Sequence, residues 1–189
     1  VHRMKQVASY GDPFDNPAPM FGPLISPEQK ARVEKYNQMV RDDKDAIVLL
    51  DQAENDKQGS FLGPFVYTVD EWSNKPYLKE EVFGPHVALI PFQDVDDAIR
   101  IYNDTDYGLA LGVITEDFRT MRRCRDECNT GMLYLNGGSI AAESHLPFGG
   151  VGKSGNGWKS AAGTYRAVTE EISVTTNYEQ GITWAQGMK

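Results

Sequence analysis

Residues 148–157 read Phe148-Gly149-Gly150-Val151-Gly152-Lys153-Ser154-Gly155-Asn156-Gly157. If they cradle a phosphate, the chain has a nucleotide-binding fold. If they are a turn-rich loop, the fold must be read from the rest of the chain. Gly152-Lys153-Ser154 matches the end of G-x-x-x-x-G-K-[ST], in which backbone N–H groups between two glycines wrap the phosphates. The position of the first glycine holds Pro147. Proline has no N–H to donate and cannot take the positive φ open to glycine. Gly150, Gly152 and Gly155 also match G-x-G-x-x-G. That motif carries meaning only directly after a buried strand and at the opening of a helix. The preceding Ala141 to Pro147 do not alternate like a strand, and the apolar run Met132 to Leu135 ends well before the loop. On local grounds the stretch reads as a glycine-rich loop built for tight turns.

Upstream, helical and strand patterns alternate. Val1 to Ser9 reads as the end of a helix, and Gly11 to Pro19 is turn material. Ser26-Pro27-Glu28-Gln29 is a helix start, with a serine cap, proline at the first helical position and glutamine three after the cap. Val33, Tyr36 and Val40 give that helix an apolar stripe. Strands are expected at Ala46–Leu50, Phe61–Val69 (interrupted by Gly63-Pro64), His86–Phe92, Tyr107–Thr115 and Met132–Leu135. Asp94 caps a helix carrying Val95, Ala98, Ile99 and Tyr102. A further helix is expected over Asp117–Asn129, with Phe118, Met121, Arg122 and Cys128 along one side. Lys159–Ala167 suggests a short helix, and Ile172, Val174, Thr176 and Tyr178 alternate as a last strand. Strands alternating with helices imply right-handed crossovers and a layered α/β fold with a mostly parallel sheet and flanking helices. The alternating last strand suits a sheet edge or a sheet shared between subunits.

The 189 residues are 40% hydrophobic and 24% charged, an ordinary globular composition with room for one sizeable core. A net charge of −8 without a basic patch argues against nucleic acid and anionic membrane as partners. No apolar run reaches the length of a membrane span. Two cysteines, Cys124 and Cys128, leave a zinc site short of ligands, so no metal site is read. They read as free thiols on one helix face, which fits a reducing, cytoplasmic compartment. A chain that opens on Val1 is expected to be a processed or excised piece.

Four motifs in order carry a resemblance. They are Gly22-Pro23-Leu24-Ile25, then Glu80-Glu81-Val82-Phe83-Gly84-Pro85, then Asn103-Asp104-Thr105-Asp106-Tyr107-Gly108-Leu109, and last Gly131 to Asn136 leading into Pro147 to Gly155. Together they resemble the C-terminal portion of the aldehyde dehydrogenase superfamily, over nearly the whole chain. The resemblance implies residues 1–170 as a partial catalytic domain and 171–189 as a C-terminal oligomerisation strand and tail. It implies oxidation of an aldehyde to a carboxylic acid by NAD or NADP, through a cysteine thioester.

The family's nucleophile segment does not occur here, so the resemblance places the cysteine upstream, with the oxyanion asparagine, the base glutamate and the dinucleotide domain. No catalytic residue is expected in this chain, which alone should be inactive. Glu81 matches the glutamate that accepts hydrogen bonds from the nicotinamide ribose; the residue alone reads first as a solvated loop carboxylate, and the surrounding Glu80-Glu81-Val82-Phe83-Gly84-Pro85 context turns the reading to the ribose. Phe83 matches the aromatic beside the nicotinamide. Glu143 and His145 fall in the substrate-tunnel segment, or are surface residues. Phe148 is implied as an anchoring aromatic near the catalytic centre, and the glycine loop as a structural segment, not a phosphate cradle. Asn136 and His86 are expected to be structural. Gly157 to Gly163 is less typical of the family and leaves the aldehyde open. The implied partners are an aldehyde and further copies of the chain through the last strand. A different reading makes the chain a non-catalytic remnant that keeps the fold and only binds partners.

Overall fold

The computed structural model describes residues 2, 9–52, 59–140, 142–178 and 181. The helix expected over Val1–Ser9 lies almost wholly outside them.

The expected helix start forms as α1, Pro27–Arg41, with the Ser26 hydroxyl accepting from the Gln29 N–H at 3.2 Å. Its stripe of Val33, Tyr36 and Val40 is buried, as the spacing implies. The stripe lies in one core with Leu62, Phe65, Tyr67 and Tyr77. That core backs a three-stranded sheet of β1 (Ala46–Asp51), β2 (Phe65–Val69) and β3 (His86–Leu89), in the order β1-β2-β3. β1 runs antiparallel to β2, and β3 parallel to it. A one-turn helix, α2 (Pro76–Lys79), sits between β2 and β3 in the chain and feeds directly into Glu80-Glu81.

Beyond β3, Asp94 caps α3 (Val95–Asn103) through the Asp97 N–H, as expected. β5 (Ala110–Val113), α4 (Phe118–Glu127) and β6 (Met132–Leu135) then form a parallel crossover unit. Very short strands complete the chain. β4 (Tyr107–Gly108) pairs with β8 (Val151–Gly152), and β7 (Pro147–Phe148) with β9 (Ser160–Ala161), before the short helix α5 (Thr164–Val168).

The fold is α/β, and of the three ladders between strands of four residues or more, two are parallel. The sheet is divided, however, into four separate sheets. The strand expected over Phe61–Val69 begins only at Phe65, after Gly63-Pro64. The one expected over Tyr107–Thr115 breaks at Leu109, because Tyr107 and Gly108 pair with the glycine loop while Ala110 onward pairs with β6. The expected stripe on α4 also shifts. Phe118 is 72% exposed and the buried residue is Cys124. The covered face runs through Met121, Cys124 and Cys128, at i, i+3 and i+7. The helix expected over Lys159–Ala167 starts at Thr164, since Ser160 and Ala161 are taken by β9. Residues 170–178 make no ladder among the described residues.

Candidate functional site

The glycine loop shows why its glycines are needed. A Cβ on Gly131 would fall 1.9 Å from the Gly149 carbonyl oxygen, one on Gly150 2.3 Å from the Ser154 oxygen, and one on Gly155 2.2 Å from the Gly150 oxygen. Gly152 has φ of 55° and would meet the Asp106 oxygen at 2.2 Å. The chain crosses itself at each point, and no side chain fits. The loop's amides are also taken. Lys153 N–H donates to Asp106 O at 2.7 Å, Ser154 N–H to Val151 O at 3.1 Å, and Gly155 N–H to Gly152 O at 3.3 Å. The Lys153 ammonium pairs with the Asp106 carboxylate at 2.7 Å. These N–H groups point into the fold rather than at an anion. The next helix in the chain opens only at Thr164, so no helix N-terminus follows the loop directly.

The Glu80–Gly84 turn is built differently. It leaves α2 at Glu80, whose N–H still bonds the Pro76 carbonyl. Side chains of α1 then hold it residue by residue. The Tyr36 hydroxyl donates to the Glu80 carboxylate. The Arg32 guanidinium donates to the Glu81 carbonyl at 2.9 Å. The Gln29 side-chain amide donates to the Val82 and Phe83 carbonyls at 3.0 and 2.9 Å. Gly84 lies against Val33, where a Cβ would come within 2.6 Å of a valine methyl. Phe83 takes φ of 61°, a conformation unusual for a residue with a side chain. Its ring is 68% exposed.

The consequence is a division between adjacent glutamates. The Glu80 carboxylate is engaged by Tyr36, and the bond holds the Tyr36 hydroxyl above the usual phenol range. Among the described residues no side chain donates to the Glu81 carboxylate. Glu81 stands, with Glu80 beside it, where two concavities meet. One, of about 380 Å³, is lined by Tyr67, Tyr77, Phe83 and His86. The other, of about 310 Å³, is lined by Leu78, Tyr102, Tyr107 and Ser154.

The structure thus brings Glu81 and Phe83 to one cleft. It does not bring Glu143, His145 or Phe148 to that cleft, whose lining includes none of them. Glu143 and His145 are exposed neighbours, with Oε2 and Nδ1 3.8 Å apart. Phe148, in β7, is exposed. His86 is structural, as expected. Nδ1 lies 2.8 Å from Asn37 Oδ1, Nε2 lies 3.2 Å from the Tyr67 hydroxyl, and the ring stacks on Phe65. Burial pulls its pKa down to about 4. Asn136 braces a loop, its Oδ1 accepting from the Thr115 N–H at 2.8 Å. Cys124 is buried, and burial pushes the Cys128 thiol up to about 11, so that thiol is no ready nucleophile.

Gln29, Arg32 and Tyr36 are functional candidates that the sequence reading did not single out. Gln29 occupies the capping-box position, where its side chain would be expected to return to Ser26. It reaches the Glu81–Phe83 turn instead, and nothing local in the sequence signals that.

Comparison with known proteins places the chain. The profile of the family described as "Aldehyde dehydrogenase family" matches residues 1–174. A putative aldehyde dehydrogenase-like protein of Schizosaccharomyces pombe is 33% identical over 168 residues, covering 89% of this chain and 33% of that protein. A 3-sulfolactaldehyde dehydrogenase of Priestia megaterium is 31% identical over 167 residues, covering 88% and 34%. The structure superposes on a Mycobacterium tuberculosis aldehyde dehydrogenase complexed with NAD+ with a TM-score of 0.83 and 31% identity, over 96% of this chain and 37% of that one. The Bacillus cereus aldehyde dehydrogenase NAD+ complex gives 0.84 and 29%, over 94% and 35%. The chain therefore spans about a third of the length of the relatives it matches.

Proposed function

The chain belongs to the aldehyde dehydrogenase family, and from that premise we propose that it forms the nicotinamide-side wall of a site that oxidises an aldehyde to a carboxylic acid. The observation that carries the reading is the pair of glutamates. One carboxylate is tied to Tyr36, and the other, Glu81, has no side-chain donor among the described residues and lines a cleft beside the exposed Phe83.

The residues present suit a nicotinamide nucleotide, NAD or NADP. Glu81 would hold the ribose, since one carboxylate accepts two vicinal hydroxyls and its charge strengthens both bonds. Phe83 would lay its ring along the nicotinamide, excluding water from that side. When bound, the cofactor supplies the hydride acceptor for aldehyde oxidation. Glu143, His145 and Phe148 are proposed for the aldehyde side.

The nucleophile is assigned outside these 189 residues, because Cys124 is buried and burial pushes the Cys128 thiol up to about 11. Alone, the chain is proposed to be inactive, and steady NADH formation from propanal would count against that. We place the protein in the cytoplasm on its unpaired cysteines. Residues 171–178 are proposed to join a second copy. The reading of the chain as a binding module shares that surface but gives Glu81 no task.

Titration of nicotinamide mononucleotide into the protein, followed by NMR, separates the two. Glu81→Gln is expected to weaken binding about tenfold or more, the scale of losing charge-assisted hydrogen bonds. Glu80→Gln should change it by less than about twofold, since its carboxylate faces Tyr36. Equal losses in both variants, or none in either, would overturn the assignment.

A further inference from the structure

We infer that Gln29, Arg32 and Tyr36 are positioning residues for Glu81, so that helix α1 sets how tightly the site holds a nicotinamide ribose. The inference rests on the reading of Glu81 as the ribose acceptor.

The three side chains sit at i, i+3 and i+7 of one helix and so share a face. They meet a continuous stretch of the turn: the Glu80 carboxylate, then the carbonyls of Glu81, Val82 and Phe83. Val33, between Gln29 and Tyr36 on the helix, carries Gly84. The helix itself is anchored, with Val33, Tyr36 and Val40 buried in the main core. The backbone of Glu81 is therefore held at its own carbonyl and at the next two. A ligand binding its carboxylate has only side-chain torsions left to freeze, which is how preorganisation raises affinity.

Two features make this more than a fold contact. Phe83 holds a left-handed backbone conformation, which persists in a residue with a side chain only where the surroundings enforce it. The double bond from Gln29 spans that residue and the one before it. Tyr36, in turn, occupies the Glu80 carboxylate, and so decides which of two adjacent glutamates is offered to a ligand.

The test is a double-mutant cycle on the 189-residue protein, with nicotinamide mononucleotide as the probe and NMR titration as the readout. Gln29→Met, which keeps length and removes both donors, is expected to weaken binding about three- to tenfold, and the double variant with Glu81→Gln should bind within about twofold of Glu81→Gln alone. Amides of Val82 to Gly84 should exchange with solvent roughly tenfold faster in Gln29→Met, with those of β2 unchanged. Arg32→Lys, which retains a donor, should preserve affinity where Arg32→Met loses it.

If Gln29→Met leaves affinity unchanged while Glu81→Gln weakens it, the positioning role falls and the ribose assignment stands. The same follows if the two losses multiply in full. If Glu81→Gln has no effect, or the unsubstituted protein does not bind the mononucleotide, the ribose assignment and the positioning role fall together.

Discussion

The Glu80–Gly84 turn and the Pro147–Gly155 loop are both fixed in place, by different balances of side-chain and backbone contact. The turn is gripped by long side chains from a helix far away in sequence. The loop is fixed chiefly by its own backbone lying against other backbone, with glycine where the two come close, and the Lys159 ammonium donates to the Gly149 and Gly150 carbonyls besides. A segment held by side chains can be loosened a little at a time, because each donor contributes separately. A segment held by contact has no intermediate setting. Tunable affinity belongs with the first kind of construction, and a rigid floor with the second.

The largest effect should therefore come from the loop. Gly131→Ala places a methyl 1.9 Å from the Gly149 oxygen, with Gly150 Cα 2.7 Å away, and neither is a side chain that can swing aside. The expected loss is on the order of 3 kcal/mol, the upper end for overpacking. Urea denaturation monitored by circular dichroism measures it. Gln29→Met should cost only about 1 kcal/mol, the worth of an ordinary hydrogen bond. A Gly131→Ala protein as stable as Gln29→Met would break the distinction between the two constructions.

Acid should find the turn and spare the loop. His86 follows the turn in sequence and lines its cleft. Burial lowers its pKa from 6.5 to about 4. A group with a depressed folded pKa takes its proton more readily when unfolded. Stability from keeping His86 neutral is thus complete above about 6.5 and drains away as pH falls toward about 4. Asp43 acts in a lower window. The Lys75 ammonium, then the Asp45 N–H and the Tyr77 hydroxyl, pull its carboxyl to about 2, so its contribution is lost between about 3.8 and 2. Hydrogen exchange at pH 7 and pH 5 should show faster opening of residues 80–88 at the lower pH, with the Gly149–Gly155 amides changed little. His86→Gln should remove the difference. Equal acid sensitivity in the two segments would mean that the histidine does not control the turn.

The same contrast explains what the sequence disclosed. Rules that act within one turn of chain were legible. Ser26, Pro27, Asp94 and Asp117 mark helix starts, and each start appears where expected. Pro147 alone removes the phosphate-loop reading. The order of motifs disclosed the family, and the roles proposed for Glu81 and Phe83 rest on that same order. What was not legible depends on packing between distant segments. The Gln29 N–H serves the Ser26 cap, but its side chain does not return to Ser26 as the capping rule expects, since its partners lie 53 and 54 residues away. Phe118 reads as apolar face, yet the neighbouring elements cover the face of Cys124 instead. The partners of Tyr107 and Ala110 belong to different sheets, and no local pattern announces that break.

A third segment sharpens the comparison because it joins no ladder among the described residues. Residues 170–178 pair with no strand among the described residues, and Ile172 and Val174 are 78% and 75% exposed. Exposed apolar residues alternating along such a segment suit an edge that pairs with another chain. The double substitution Ile172→Asp with Val174→Asp should change the urea midpoint at high dilution by less than about 0.5 kcal/mol, as exposed positions do. Its effect should appear in assembly, as a monomer in sedimentation velocity at concentrations where the unsubstituted protein sediments as an oligomer. Unchanged assembly would mean that these residues do not form the interface. A large loss of stability in the monomer would mean that the segment is held within its own chain, by contacts of one of the two kinds already described.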